Sequence, residues 1–386
     1  MITFFRVERN AAALLLVAAI LGLALCNLGF APQIAALKTT ELTLGGLLDH
    51  FTLMAWLGEF FIAGFFLLIG LELKREMAHG ELKQPRNVLV PGLAALFGAA
   101  VPAAIYLVVV PAGSPAAAGW AIPMATDVTF ALAVFALFGK NMPRAARVFL
   151  LAFAVIDDLI AILVIAIFLG GKLQLGWLAA AAVSLIGFWL LQRAKASRFI
   201  LHTQGDNAKP RLTWFAIALS VALGIAAWYF VYRAGVQPAV VGVILGLMIS
   251  TSRVDHVEHV IHPWVAIGVL PVFAFFAAAI EVAGSFDWSA PITVAILLRP
   301  LGKVVGICLG VWLAAQLLKG SATLAPSDYL RVSILGGMGF TVSLLIANSV
   351  FGAGSALANQ AILATLVAFA ASAVLGSLVF ALRRST

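Results

Sequence analysis

Long apolar runs alternate with short polar connections along the whole chain. Runs of the length that crosses a bilayer, about 17–25 residues, fall near 10–30, 52–71, 88–110, 119–138, 148–169, 174–191, 212–232, 237–251, 263–281, 291–317, 331–351 and 360–381. Twelve transmembrane helices are expected, the run at 237–251 being short. Two runs carry breakers. Pro123 sits inside 119–138, where a proline removes a helical N–H and clashes with the preceding turn. Gly336, Gly337 and Gly339 make 331–351 easy to break just before Phe340 and Thr341. Thr126 and Thr129 stand beside the first break, where their hydroxyls can satisfy freed backbone groups or offer oxygens. The fold class is an all-α polytopic membrane protein, one domain over 1–386, with no soluble domain, low-complexity linker or obvious tandem repeat.

Composition agrees with that pattern. Hydrophobic residues are 63% of the chain and charged residues 10%, where a soluble domain is about a quarter charged. The mean hydropathy is +1.10. The net charge of +8 is not the mark of a nucleic-acid binder, because there is no basic surface domain to carry it. It reflects connections on one side of a membrane. With the N-terminal Arg6 and Arg9 in the cytoplasm, alternate connections hold Lys74, Arg75, Lys83 and Arg86, then Lys140, Arg144 and Arg147, then Arg193, Lys195, Arg198, Lys209 and Arg211. Arg253, Lys319, Arg331, Arg383 and Arg384 complete that side. The opposite side holds Lys38, Lys172 and Arg233, so 19 basic residues face three. This bias predicts both termini in the cytoplasm. The first run lacks a small-residue cleavage site and reads as a retained helix. Cys26 and Cys308 lie in apolar runs and read as small buried hydrophobes.

A few ionisable residues remain at depth: Asp127, Asp157, Asp158, Arg299 and Lys303, with Glu59 nearer a boundary. An aspartate at mid-membrane costs about 2.5–3.5 kcal/mol on insertion scales. A bland account is an ion pair that locks helices together, but buried pairs are weak stabilisers. An ion or proton pathway accounts for the cluster better. Asp157 and Asp158 are adjacent on a helix, so their side chains diverge by about 100°. One can line a cavity while its neighbour meets a cation such as Lys303. Two interrupted segments in corresponding halves also point to a transport site. An alternative is a sodium-coupled symporter of a small organic solute, which needs more polar, substrate-sized groups at depth. An aspartyl protease would need the YD and GxGD signatures, which are absent. A passive channel gives no reason for an Asp–Lys arrangement.

Seven stretches, in order, are FFLLIGLELKRE (65–76), GWAIPMATDVTFAL (119–132), AVIDDLIAI (154–162), EHVIHPWVA (258–266), LPVFAF (270–275), GKVVGICLGVWLA (302–314) and GMGFTVSLLIA (337–347). Together they resemble the NhaA family of sodium/proton antiporters over nearly the whole chain. The resemblance implies inverted-topology repeats with two discontinuous helices crossing at mid-membrane near 123–128 and 336–341. It implies a core bundle from about 88–169 and 291–381 and interface or scaffold helices from about 10–71 and 174–281. Asp127 and Asp158, with Thr126, match the ion-binding and proton-binding residues, so Na+ is expected at Asp127 and Asp158. Asp157 matches the aspartate that meets a lysine, here Lys303, a salt bridge and proton carrier. Glu72, Arg75, Glu258, His259 and His262 resemble a cluster linked to pH regulation. The implied activity is pH-regulated, electrogenic Na+(Li+)/H+ antiport by alternating access, without a cofactor, in a homodimer of the bacterial inner membrane.

Three departures stand out. The family's GKPLG reads GKVVG here; an alignment through RPLG would put Arg299 in the lysine's place, but the flanking GI and WLA favour Lys303. Arg299, one turn earlier, is then an extra intramembrane cation with no assigned role. Gln237 stands in GVQPAVVG where the well-known enterobacterial member has histidine, and FFAAA replaces FANAG. Glu59 could line an outer cavity or snorkel near the interface.

Overall fold

The computed structural model describes residues 2–42, 48, 51–79, 83, 85–139, 141–168, 174–193, 210–281, 286–318 and 324–382. Lys140, Lys172, Lys195, Arg198, Lys209, Lys319, Arg383 and Arg384 lie outside the described residues. The described chain is helical, with an isolated antiparallel bridge between Glu41 and Thr52.

The first half contains α1 (Ile2–Leu25), α2 (Ala31–Thr39), α3 (Ile62–His79), α4 (Pro85–Val109), α5 (Val128–Phe138), α6 (Arg144–Phe168) and α7 (Leu175–Arg193). The second contains α8 (Pro210–Arg233), α9 (Ala239–Met248), α10 (Val254–Pro263), α11 (Leu270–Ala278), α12 (Pro291–Leu297), α13 (Arg299–Leu317), α14 (Pro326–Gly336), α15 (Thr341–Phe351) and α16 (Ala356–Leu382). Wide π-turns at Cys26–Phe30, Trp56–Phe61 and Trp264–Val269 join successive helical pieces.

Among the described residues, eight helices are long and apolar enough to cross a membrane, or up to nine if α14 and α15, bent by 45°, count as one span. These nine fall on nine of the twelve expected runs. The run at 119–138 divides into a 3₁₀ segment, Pro115–Met124, and α5. The run at 148–169 is the 25-residue α6, and 237–251 holds the ten-residue α9. Large apolar side chains such as Val108, Ile167, Val183 and Trp264 point outward, as lipid-facing surface does. The chain is a multi-pass membrane protein.

Glycines set the closest helix pairs. In lipid there is little hydrophobic force between helices, so association relies on close backbone contact across small residues. Helix α13 lies along α4. Gly302, Gly306 and Gly310, four apart, form one face of α13 against Pro102, Phe97 and Leu93. A Cβ at Gly306 would strike the Phe97 backbone, and one at Gly310 the Leu93 backbone. Helix α9 meets α3 the same way, through Gly242, Gly246 and Gly70. Helix α6 also packs on α4, and α14 on α13. This grouping brings α6 and the two breaks toward the charged face of α13.

Candidate functional site

The two breaks meet. Residues 125–127 are extended between the 3₁₀ segment and α5, and 337–340 separate α14 from α15. Asp127 N donates to Met338 O at 2.6 Å. Thr126 Oγ1 donates to Gly336 O at 2.7 Å, and Ser343 Oγ donates to Ile122 O at 2.8 Å. Ser372 of α16 adds a bond to Gly337 O at 3.1 Å. Backbone groups released by each break are thus taken up by the other, as an apolar surrounding demands.

Asp127 serves two helix starts. It is the N-cap of α5, where Oδ1 accepts from Phe130 N at 3.4 Å. Its Oδ2 accepts from Thr341 N at 3.3 Å and Thr341 Oγ1 at 2.9 Å, at the first residue of α15. Helix N-termini carry partial positive charge, so one carboxylate compensates both.

The adjacent aspartates of α6 have different surroundings. Lys303 Nζ lies 2.7 Å from both Asp157 oxygens, and both side chains are 0% exposed. Asp158 is 1% exposed, and its Oδ1 has no hydrogen-bond partner. Asp158 is within electrostatic range of Asp127, Asp157, Lys303 and Glu72. The roughly 100° turn between neighbours on a helix separates the two roles. Among the described residues no three His, Cys, Asp or Glu side chains gather to hold a metal ion. The available donors are carboxylate, hydroxyl and backbone carbonyl oxygens, which suit a hard monovalent cation passing through.

The remaining predicted residues have their hydrogen bonds and ion pairs outside this centre, although Glu72 is within electrostatic range of Asp158. Arg75 Nη1 donates to both Glu258 oxygens, at 3.0 and 2.8 Å, and its Nη2 lies 3.9 Å from Glu72. His262 is half-buried near Glu258, and His259 is exposed. Glu59 sits in the Trp56–Phe61 π-turn; its carbonyl accepts from Trp228 Nε1 at 2.8 Å, while its Oε2 is buried without a partner. Gln237 precedes α9, with its Nε2 likewise buried and unpaired. Pro123 lies at the end of the 3₁₀ segment, two residues before the extended stretch.

Sequence reasoning overlooked Ser343 and Ser372. Both are small polar residues inside apolar runs, and a search for hydroxyls within one or two turns of a helix breaker would have found Ser343. Ser372 lies 35 residues from its partner, and no local pattern marks it.

The model for the Na+/H+ antiporter 1 family matches residues 2–380. A Na+/H+ antiporter NhaA 2 from Clavibacter michiganensis is 36% identical, over 99% of this chain and 92% of the relative. The Na+/H+ antiporter NhaA of Pseudomonas putida is 37% identical, over 91% and 89%, and that of Citrobacter koseri 35%, over 97% and 95%. Among solved structures, the sodium proton antiporter MjNhaP1 from Methanocaldococcus jannaschii matches in fold, with a TM-score of 0.56 at 18% identity, over 96% of this chain and 97% of that one. With the match running from the second residue almost to the end, the chain belongs to the Na+/H+ antiporter 1 family, of the NhaA type.

Proposed function

We propose that the protein exchanges sodium, and lithium, for protons across the bacterial inner membrane. The observation that carries this is Asp158: a fully buried carboxylate with an unpaired oxygen, beside a closed Lys303–Asp157 pair and two interlocked helix breaks. A carboxylate in such a place needs either a proton or a cation. Asp158 and Asp127 then offer the same oxygens to both, with the Thr126 hydroxyl as a further donor. A site that reorients only when loaded with one or the other couples the two flows.

The twelve-span count, inverted repeats and cytoplasmic termini belong to this reading, supported by the hydrophobic runs and the one-sided basic residues. So do the core and scaffold division, the homodimer and electrogenic exchange, which rest on family likeness. Lys303 holds Asp157 and releases a proton when that pair opens. Glu72, Arg75, Glu258, His259 and His262 regulate the response to pH from the cluster around Arg75.

The test is proton movement in proteoliposomes on adding NaCl, from pH 6 to 9, with wild type beside Asp158→Asn. Sodium-evoked proton flux in the wild type that is lost in the variant is the expected result. Full exchange by Asp158→Asn would remove the shared-site mechanism. No flux in folded wild type would favour a sodium-coupled solute symporter.

A further inference from the structure

Arg299 is among the largest fully buried side chains, 1% exposed at the first residue of α13. A charge in that position requires compensation. Its Nη1 donates to Ser343 Oγ at 3.4 Å, and among the described residues its Nε and Nη2 have no hydrogen-bond partner. The side chain lies against the interlock itself. A Cβ at Gly339 would meet Ala125 O, Arg299 Nη1 at 2.9 Å and Ser343 Oγ at 3.1 Å. Ser343 in turn holds Ile122 O, a carbonyl in the last turn of the 3₁₀ segment.

The surrounding partial charges are backbone ones. Asp127 answers the positive starts of α5 and α15. The ends of the 3₁₀ segment and of α14 present carbonyls, the negative ends of their dipoles, at the same crossing. Lys303 is one turn along α13 and is committed to Asp157. We propose that Arg299 is a positioning residue of the exchange site: its charge compensates the carbonyl ends at the crossed breaks, which leaves Lys303 free to hold Asp157. This rests on the antiport reading above. The ionisable groups facing this corner are Lys303 on α13, Asp157 and Asp158 on α6, and Asp127 before α5. The 3₁₀ segment, α12, α15 and α16 contain none, α4 contributes Tyr106 near this end, and α14 has Asp328 and Arg331 in its first half.

The sign of the effect follows. Arg299 acts on the aspartates through Lys303: without it, Lys303 turns toward the carbonyl ends, and carboxylates that lose its positive charge keep protons to higher pH, so sodium competes only at higher pH. Lys303 is the nearest cation to replace Arg299, at the expense of its bond to Asp157.

Sodium-driven proton flux against pH is measured in proteoliposomes for wild type, Arg299→Met and Arg299→Lys, with folding checked by size exclusion in detergent. The expected result is an acid limb moved up by about one pH unit in Arg299→Met, the scale of one removed buried charge, and restored by Arg299→Lys. A Met variant whose profile superimposes on wild type overturns the proposal. So does a Lys variant shifted as far as Met, because the charge is then not what matters. If Arg299→Met gives no folded protein, Arg299→Lys decides: a folded variant with the wild-type profile upholds the charge requirement, and a misfolded one reduces the role to packing. Absence of flux in wild type fails the antiport reading instead, so the two failures are distinct.

Discussion

Lys303 Nζ sits 2.7 Å from each oxygen of Asp157, with neither side chain reaching solvent. The pair joins α13 to α6 across 146 residues of sequence. Its partners are close enough that removing one leaves a bare charge, a loss of about 3–5 kcal/mol for buried pairs. Lys303→Ala is therefore expected to lower the thermal unfolding midpoint in detergent sharply. Replacing both, as Asp157→Asn with Lys303→Gln, is expected to recover much of the loss. A double variant no more stable than Lys303→Ala would show that the pair's charges are not the cause.

Asp127 has a structural duty beside any contact with ions. Asp127→Ala removes the cap on α5 and the acceptor for Thr341, at about 0.5–2 kcal/mol for the cap alone. Thr341→Val removes only the hydroxyl bond of 2.9 Å and is expected to cost less. Thermal unfolding of the two variants gives that ranking; the reverse order would mean that the cap does not carry the interlock.

The glycine face of α13 predicts a sharp positional contrast. Gly306→Ala places a methyl group into the Phe97 backbone, and overpacking of this kind costs about 1–3 kcal/mol. Gly92→Ala, also in α4's contact pair, has nothing within 4 Å of the new atom and is expected to be neutral or mildly stabilising. Equal unfolding midpoints for the two variants would contradict the packing account.

Asp287 lies in the connection before α12. Hydrogen bonds from the Ser289 hydroxyl, at 2.6 Å, and the Ser289 backbone N–H hold its carboxyl below the ordinary value of 3.8. A carboxylate with a lowered folded-state pKa stabilises the fold above its unfolded pKa, and that contribution disappears as pH falls through the folded value. Wild type and Asp287→Asn should therefore differ in unfolding midpoint at neutral pH and converge as pH falls through the lowered folded-state value. A difference that persists in acid would point to the amide's geometry rather than the charge. The window lies far below the range tested for exchange, so this group has no part in the pH response there.

Local chemistry made much of this protein legible. Runs of apolar residues, the one-sided arginines and lysines, and the breakers Pro123, Gly336, Gly337 and Gly339 are all short-range features. They suffice for a helical membrane protein with two interrupted segments, because a bilayer leaves few ways to satisfy a backbone. The boundaries were less legible. The run at 119–138 divides after Pro123 as expected, yet its first part is a 3₁₀ segment that begins at Pro115. Hydropathy does not register which backbone hydrogen bonds a proline and an extended aspartate will forgo.

The sequence by itself determined that carboxylates and cations lie at depth, and which residues these are: Asp127, Asp157, Asp158, Arg299 and Lys303. The tertiary structure decided how they divide. Asp157 takes Lys303, Asp127 takes two helix starts, Asp158 keeps an oxygen unpaired, and Arg299 lies against the crossed breaks with two nitrogens unpaired. The reason is physical. Which partner a buried charge meets depends on distances of a few ångströms between helices far apart in the chain. Those distances are set by where glycine faces let two backbones touch.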